Sequence, residues 1–260
     1  MDWRVAAGGW LVGVLIGLTG MGGGSVMTPM MIFLFHMHPG LAVGTDLVYS
    51  CITKLVGAAA HMRQRTIDFR TLGWLSLGSV PGALMGSLAV QYLQRHWTME
   101  ASDHVIAQLL GGMYILIVLA MAWRWWAGRR ADRKAAAAPV AGQRVPRTSL
   151  ALLGLVGGGL VGMTSVGSGA LFVSVMALIT ALPATRLVGT DIAVGVLVTG
   201  TAGLAHLAFG NVDLPMVASL LAGSIPGILM GSRLIVRVPE SVVRVGLMTL
   251  LCWSSYNLLK

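Results

Sequence analysis

A chain of 260 residues that is 56% hydrophobic and only 10% charged falls outside ordinary soluble domains, where about a quarter of residues are charged. A net charge of +9 would suggest nucleic acid in a soluble protein, but here Lys and Arg lie between long apolar runs and read as a membrane topology signal. Cys51 and Cys252 sit in apolar stretches without metal or redox spacing, so they read as packing residues.

In chain order, residues 5–36 come first, with no signal-peptide pattern: Arg4 stands alone and no small-residue cleavage site follows. This apolar segment is too long for one crossing of about 20 residues. It is interrupted by Gly20-Met21-Gly22-Gly23-Gly24-Ser25. Glycine costs about 1 kcal/mol inside a helix, so the cluster predicts a break. Residues 40–62, 71–94 and 104–127 each predict one crossing. Residues 128–148 are basic and Ala-rich and read as a flexible linker. Residues 149–181 again exceed one crossing and are interrupted at Gly162-Met163-Thr164-Ser165-Val166-Gly167-Ser168-Gly169. Residues 185–209, 214–236 and 240–259 complete the set.

The second half repeats the first. Residues 78–87 (GSVPGALMGS) and 223–232 (GSIPGILMGS) agree at eight of ten positions, at a spacing of 145. The same spacing aligns Val43-Gly44-Thr45-Asp46 with Val188-Gly189-Thr190-Asp191, His61 with His206, and Asp68 with Asp213. The expected fold is an all-α polytopic membrane protein of two homologous repeats, 1–127 and 149–260, joined by the linker 128–148. Each repeat has a broken first helix and three spans.

Charge bears on whether each broken segment crosses or re-enters. If both re-enter, Arg63, Arg65, Arg70, the seven residues from Arg124 to Arg147, Arg186, Arg233, Arg237 and Arg244 share one side. Arg4, Arg95 and Lys260 face the other, a split of 14 to 3 with Lys54 set aside; single crossings give 12 to 5. Positive charge concentrates in the cytoplasm, so re-entry is favoured. Each half then crosses three times, the repeats are inverted, the linker is cytoplasmic and both termini are periplasmic.

Several residues could carry chemistry. A half-helix beginning at Gly22 or Gly167 would aim free N–H groups and a positive dipole end at the midplane, which suits an anion. Gly22, Gly23, Gly24, Ser25, Gly167, Ser168 and Gly169 are therefore candidate substrate contacts, with hydroxyls of Thr164 and Ser165 nearby. Glycine that merely permits close helix crossing is the alternative. Thr45 and Thr190 are added as candidates beside Asp46 and Asp191. Those carboxylates either belong to a proton path or only cap the helices that start near them. Lys54 shares a helical face with Asp46 and Ser50, while its counterpart is Thr199; it could pair with Asp46 or meet an anion. His61 and His206 end equivalent helices and could titrate or simply bond a backbone carbonyl. Pro81 and Pro226 predict kinks that could serve as hinges. Trp97, Trp123, Trp125 and Trp126 lie at span ends, as an interfacial belt would. No metal spacing, cofactor motif or nucleophile–base constellation is evident, so neither an enzyme nor a metal protein is expected.

The chain resembles the TauE/SafE, or sulfite exporter-like, family. The resemblance rests on GLTGMGGGSVMTPMM at 17–31, AVGTDL at 42–47, ITKLVGAAAH at 52–61 and GSVPGALMGS at 78–87, with second-half copies GMTSVGSGAL at 162–171, LVGTDI at 187–192 and GSIPGILMGS at 223–232. It implies a multi-pass transporter in the bacterial inner membrane that exports sulfite, sulfoacetate or related organosulfur anions. Two carboxylates near the site would repel such an anion unless Lys54 or protons offset them. The expected mechanism is alternating access, with coupling to protons left open; an anion channel of the same architecture is the alternative. The partners expected are the small anion and the lipid bilayer, without nucleic acid, and a homodimer is left open.

Overall fold

The structure is a computed structural model that describes residues 3–19, 24–131, 147–167, 169–180, 182–234 and 240–260. Among these, ten helices follow in order: α1 Trp3–Thr19, α2 Gly24–Phe35, α3 Pro39–Arg63, α4 Phe69–His96, α5 Met99–Ala131, α6 Arg147–Thr164, α7 Ala170–Ile179, α8 Ala184–Ala208, α9 Leu214–Leu234 and α10 Glu240–Leu259. Six of them (α3, α4, α5, α6, α8 and α9) are long and apolar enough to cross a membrane. The segments expected from hydropathy match α3, α4, α8, α9 and α10 to within about two residues at each end. α5 starts five residues before the expected span and runs on to Ala131, into the stretch read as linker.

The second long segment is broken, and the first holds two separate helices, α1 and α2, on either side of residues 20–23. α2 has 12 residues and α7 has 10, about 18 and 15 Å of helix, too short to cross a bilayer core of about 30 Å. The half-helices begin at Gly24 and Ala170, two and three residues later than the expected starts at Gly22 and Gly167. The second break is made by backbone that L-residues rarely adopt: Ser165 has φ 60°, Gly167 115° and Gly169 120°. The first break falls on residues 20–23, outside the described residues, as do Gly22, Gly23 and Ser168.

Small residues set how the helices pack. On α4, Gly78, Gly82 and Gly86 lie against α6, where a Cβ on each would run into the carbonyl oxygens of Ala151, Leu155 and Gly159. The rising order on both helices means that α4 and α6 run parallel. The same stripe recurs 145 residues on: Gly223, Gly227 and Gly231 of α9 sit against Ala6, Trp10 and Val14 of α1, again parallel. Each half thus lends its first helix to the other half's close pair, the arrangement small residues permit in lipid.

At the centre, α3 packs on α8 with opposite polarity. Gly44 approaches His206, Gly203 approaches Val48, Gly195 approaches Lys54 and Gly57 approaches Ile192. The Cys51 thiol lies 3.9 Å from the Val196 carbonyl oxygen. α4 and α8 run parallel, since Asp68 meets Thr190 at one end and Gln91 and Gln94 meet Asn211 at the other. α6, parallel to α4, therefore also runs parallel to α8, with the short α7 between them. α9 runs parallel to α3, since Asp213 meets Thr45 and, further along both, Ser224 comes close to Tyr49, so α1, parallel to α9, also runs parallel to α3.

Hydrogen bonds tie the halves reciprocally. The Asp213 N–H donates to Thr45 Oγ1 at 3.1 Å, and the Asp68 N–H donates to Thr190 Oγ1 at 2.9 Å. Asp68 also caps α4, accepting from the Thr71 N–H at 3.0 Å, and Asp213 accepts from the Met216 N–H at 2.9 Å at the start of α9.

Candidate functional site: a buried charged centre

α3 and α8 carry acidic residues in their interiors because their positions face protein rather than lipid. Asp46 is 0% exposed, Asp191 5% and Lys54 8%, so the centre is buried within the bundle. The capping role considered for the two acids is ruled out. α3 starts at Pro39 with His38 at its N-cap, and α8 starts at Ala184 with Pro183 there, so each Asp lies about two turns inside its helix.

Asp46 is held by three hydroxyls. Thr28 Oγ1 on α2 donates to Oδ2 at 2.6 Å, Ser165 Oγ at the second break donates to Oδ2 at 2.6 Å, and Ser50 Oγ donates to Oδ1 at 3.2 Å. A buried carboxylate needs such donors, because an unsatisfied charge in low dielectric is costly. The left-handed backbone at Ser165 aims its hydroxyl inward, so the unusual φ has a visible use. Ser165, read beforehand as a donor for a bound anion, here serves a carboxylate of the protein.

Asp191 is served differently. The Gly169 N–H, just before α7, donates to its carboxylate, and among the described residues Oδ1 has no hydrogen-bond partner. Lys54 reaches from α3 across the interface toward it. The ammonium is in electrostatic range of Asp191 first and Asp46 second. Gly195, the counterpart of Ser50, makes room for that crossing: a Cβ there would lie 3.0 Å from Lys54 Cδ and 3.2 Å from Nζ. Lys54 thus interacts with both acids.

The other candidates fall around this centre or away from it. Gly24 opens α2 and Ser25 is half-buried in its first turn. Gly167 is buried and Gly169 half-buried in the second break. Thr45 and Thr190 are fully buried, with their hydroxyls bound to backbone N–H groups of the opposite half. His206 is buried and shares a hydrogen bond with the Gly162 carbonyl at 3.2 Å, whereas His61 is half-buried and bonded to Thr66 Oγ1 at 2.8 Å. Pro81 and Pro226 lie inside α4 and α9 on outward faces, and neither helix is interrupted there. Trp97 and Trp123 are exposed. Thr28 and Gly195 were missed as site residues. The usable signals were a hydroxyl one turn beyond Ser25 in the apolar α2 and the replacement of Ser50 by glycine in the second half. Among the described residues no cluster of His, Cys, Asp and Glu could hold a metal ion.

Apolar helices around a closed, charged centre, with helices interrupted beside it, make this a multi-pass membrane protein of the transporter class. The chain belongs to the TauE/SafE family: the family model described as "Sulfite exporter TauE/SafE" matches residues 5–258. It is 41% identical over 231 residues to "Probable membrane transporter protein YjnA" of Bacillus subtilis (strain 168), covering 87% of each chain. "Probable membrane transporter protein YunE" of the same organism is 26% identical, over 83% of this chain and 82% of its own. "Probable membrane transporter protein MJ0441" of Methanocaldococcus jannaschii is 26% identical, over 79% and 72%. No solved structure matches the chain. The protein is a membrane transporter of the TauE/SafE type and not an enzyme.

Proposed function

We propose that the protein is a secondary transporter that exports small anions of the sulfite and sulfoacetate class across the bacterial inner membrane by alternating access, coupled to protons. The observation that carries this reading is Lys54, a buried cation beside the break that precedes α7, hemmed in by Asp46 and Asp191. With all three ionised the centre has an excess negative charge. An anion is accommodated only when a proton is taken up or a carboxylate swings away, which gives proton coupling a physical basis. In this reading Gly22, Gly23, Gly24, Ser25, Gly167, Ser168 and Gly169 contact the anion. Thr45 and Thr190 hold the helix starts of the opposite half, and Pro81 and Pro226 are the hinge positions.

The architecture in this reading is two inverted repeats, 1–127 and 149–260, around the cytoplasmic linker 128–148. Three directions support it: α3 opposes its counterpart α8, α1 parallels α3, and α6 parallels α8. A segment whose first helix points the same way as the next full span must return to the side it left. Both broken segments are then re-entrant and both termini lie in the periplasm. A reporter fused after Lys260 is expected to be active only if periplasmic, as alkaline phosphatase is; activity of a cytoplasmic reporter instead would refute the inverted arrangement.

The function is tested by flux. Proteoliposomes holding the full chain are expected to move sulfite or sulfoacetate faster than empty liposomes, with a rate that responds to an imposed pH gradient. No anion flux across a broad panel would end the proposal.

A further inference from the structure

We propose that the two membrane carboxylates divide their work: Asp191 carries the coupling proton and, while ionised, occupies the anion's place at Lys54 and the Gly169 N–H, whereas Asp46 is a fixed counter-charge. The inference rests on the transporter reading above and assigns roles within that same centre.

The two acids occupy equivalent positions at the spacing of 145, yet their surroundings are opposite. Asp46 accepts from Thr28, Ser50 and Ser165. The counterparts of those three donors are Val173, Gly195 and Gly20, none of which has a side-chain donor. Every hydroxyl that steadies the first carboxylate is therefore missing around the second. Among the described residues Asp191 keeps one backbone donor and a buried Oδ1 without a donor. Three hydroxyls hold the ionised form of Asp46, so a proton arriving at the centre meets its acceptor at Asp191.

The ionisable surroundings of Asp191 are sparse. α3 brings Lys54, with Asp46 and Cys51 beside the lysine, and near its end His61, bonded to Thr66 Oγ1 at 2.8 Å where Thr66 packs against Gly189. α4 brings Asp68 near its start, whose carboxylate is bound by Thr71. α7 has no ionisable residue, and α6 has only Arg147 at its far end, stacked over Trp74 at 5.2 Å. On α8 itself, His206 is four turns away and bonded to Gly162, and Arg186 lies in the exposed first turn. Lys54 is thus the charge that Asp191 faces.

A mechanism of competition follows. The ionised Asp191 offers Lys54 and the Gly169 N–H the negative oxygens that a sulfonate would otherwise offer. Protonation removes that rival, frees the ammonium and the N–H, and leaves Asp46 to balance Lys54. Proton and anion then favour each other's binding by the same factor, since coupling between two ligands is reciprocal.

The test uses the full chain in nanodiscs with sulfoacetate as probe, because its charge is constant near neutral pH. Wild type is expected to bind more tightly as pH falls, by up to about tenfold per unit, and to take up about one proton per anion bound in weak buffer. Asp191→Asn is expected to bind with little pH dependence and no proton uptake, while Asp46→Asn keeps both. Should Asp191→Asn fail to fold, proton uptake by wild type still decides: none would overturn the inference. Retained pH dependence in Asp191→Asn, or its loss in Asp46→Asn alone, would also overturn it. Wild type that binds neither sulfoacetate nor sulfite at any pH refutes the anion reading itself.

Discussion

Lys54→Met is expected to reduce anion flux in proteoliposomes to background and to destabilise the fold by about 3–5 kcal/mol, the range for removing one partner from a buried ion pair. The methionine fills much of the same volume, so the loss comes from charge: Asp46 and Asp191 would face each other with no cation between them. Thermal unfolding of the purified variant separates the two effects. A subtler companion is Gly195→Ala, which keeps every charge. Its methyl group would press on the Lys54 stem and displace the ammonium by a few tenths of an ångström. Folding should survive, and flux should fall about tenfold, because small misplacements of a binding group are costly. Wild-type flux in Lys54→Met would remove the centre from the transport path.

The second large effect concerns the glycine seam. Gly82→Val with Gly158→Val is expected to cost at least about 3 kcal/mol and to prevent recovery of a monodisperse protein. Side chains at these positions would strike the backbone of Leu155 and Ser79, and backbone cannot turn aside as a side chain does. α4 and α6 would have to separate along their whole contact. Gly112→Ala is the control, since nothing lies near its added methyl group. That change should be neutral or stabilising by up to about 1 kcal/mol, the helix-propensity difference between alanine and glycine. Size-exclusion profiles and melting curves of the two proteins provide the check, and equal stability would show that the seam does not hold the halves together.

The centre explains why part of it was legible beforehand and part was not. Charged residues stand out in apolar helices, so Asp46, Asp191 and Lys54 could be picked by composition alone. Their partners could not. The hydroxyls on Asp46 come from residues 18, 4 and 119 positions away. Only the neighbour one helical turn along, Ser50, follows from periodicity. Ser165 was noticed as a hydroxyl in a glycine-rich break, but its acceptor proved to be the protein's own carboxylate. The capping alternative fails on the helix starts: Pro39 and Ala184 lie within one residue of the expected spans, which leaves each Asp about two turns inside its helix.

The sequence by itself determined the repeat at a spacing of 145, the positions of the spans, the two breaks and the charged residues inside the bundle, because each is a local property of composition or self-similarity. Only the tertiary structure decided that α1 pairs with α9 and α6 with α4, that Thr45 and Thr190 hold the opposite half, and that Lys54 crosses to Asp191 over Gly195. Those are contacts between residues more than seventy positions apart, set by which glycine faces can approach closely, and no window along the chain contains both sides of them.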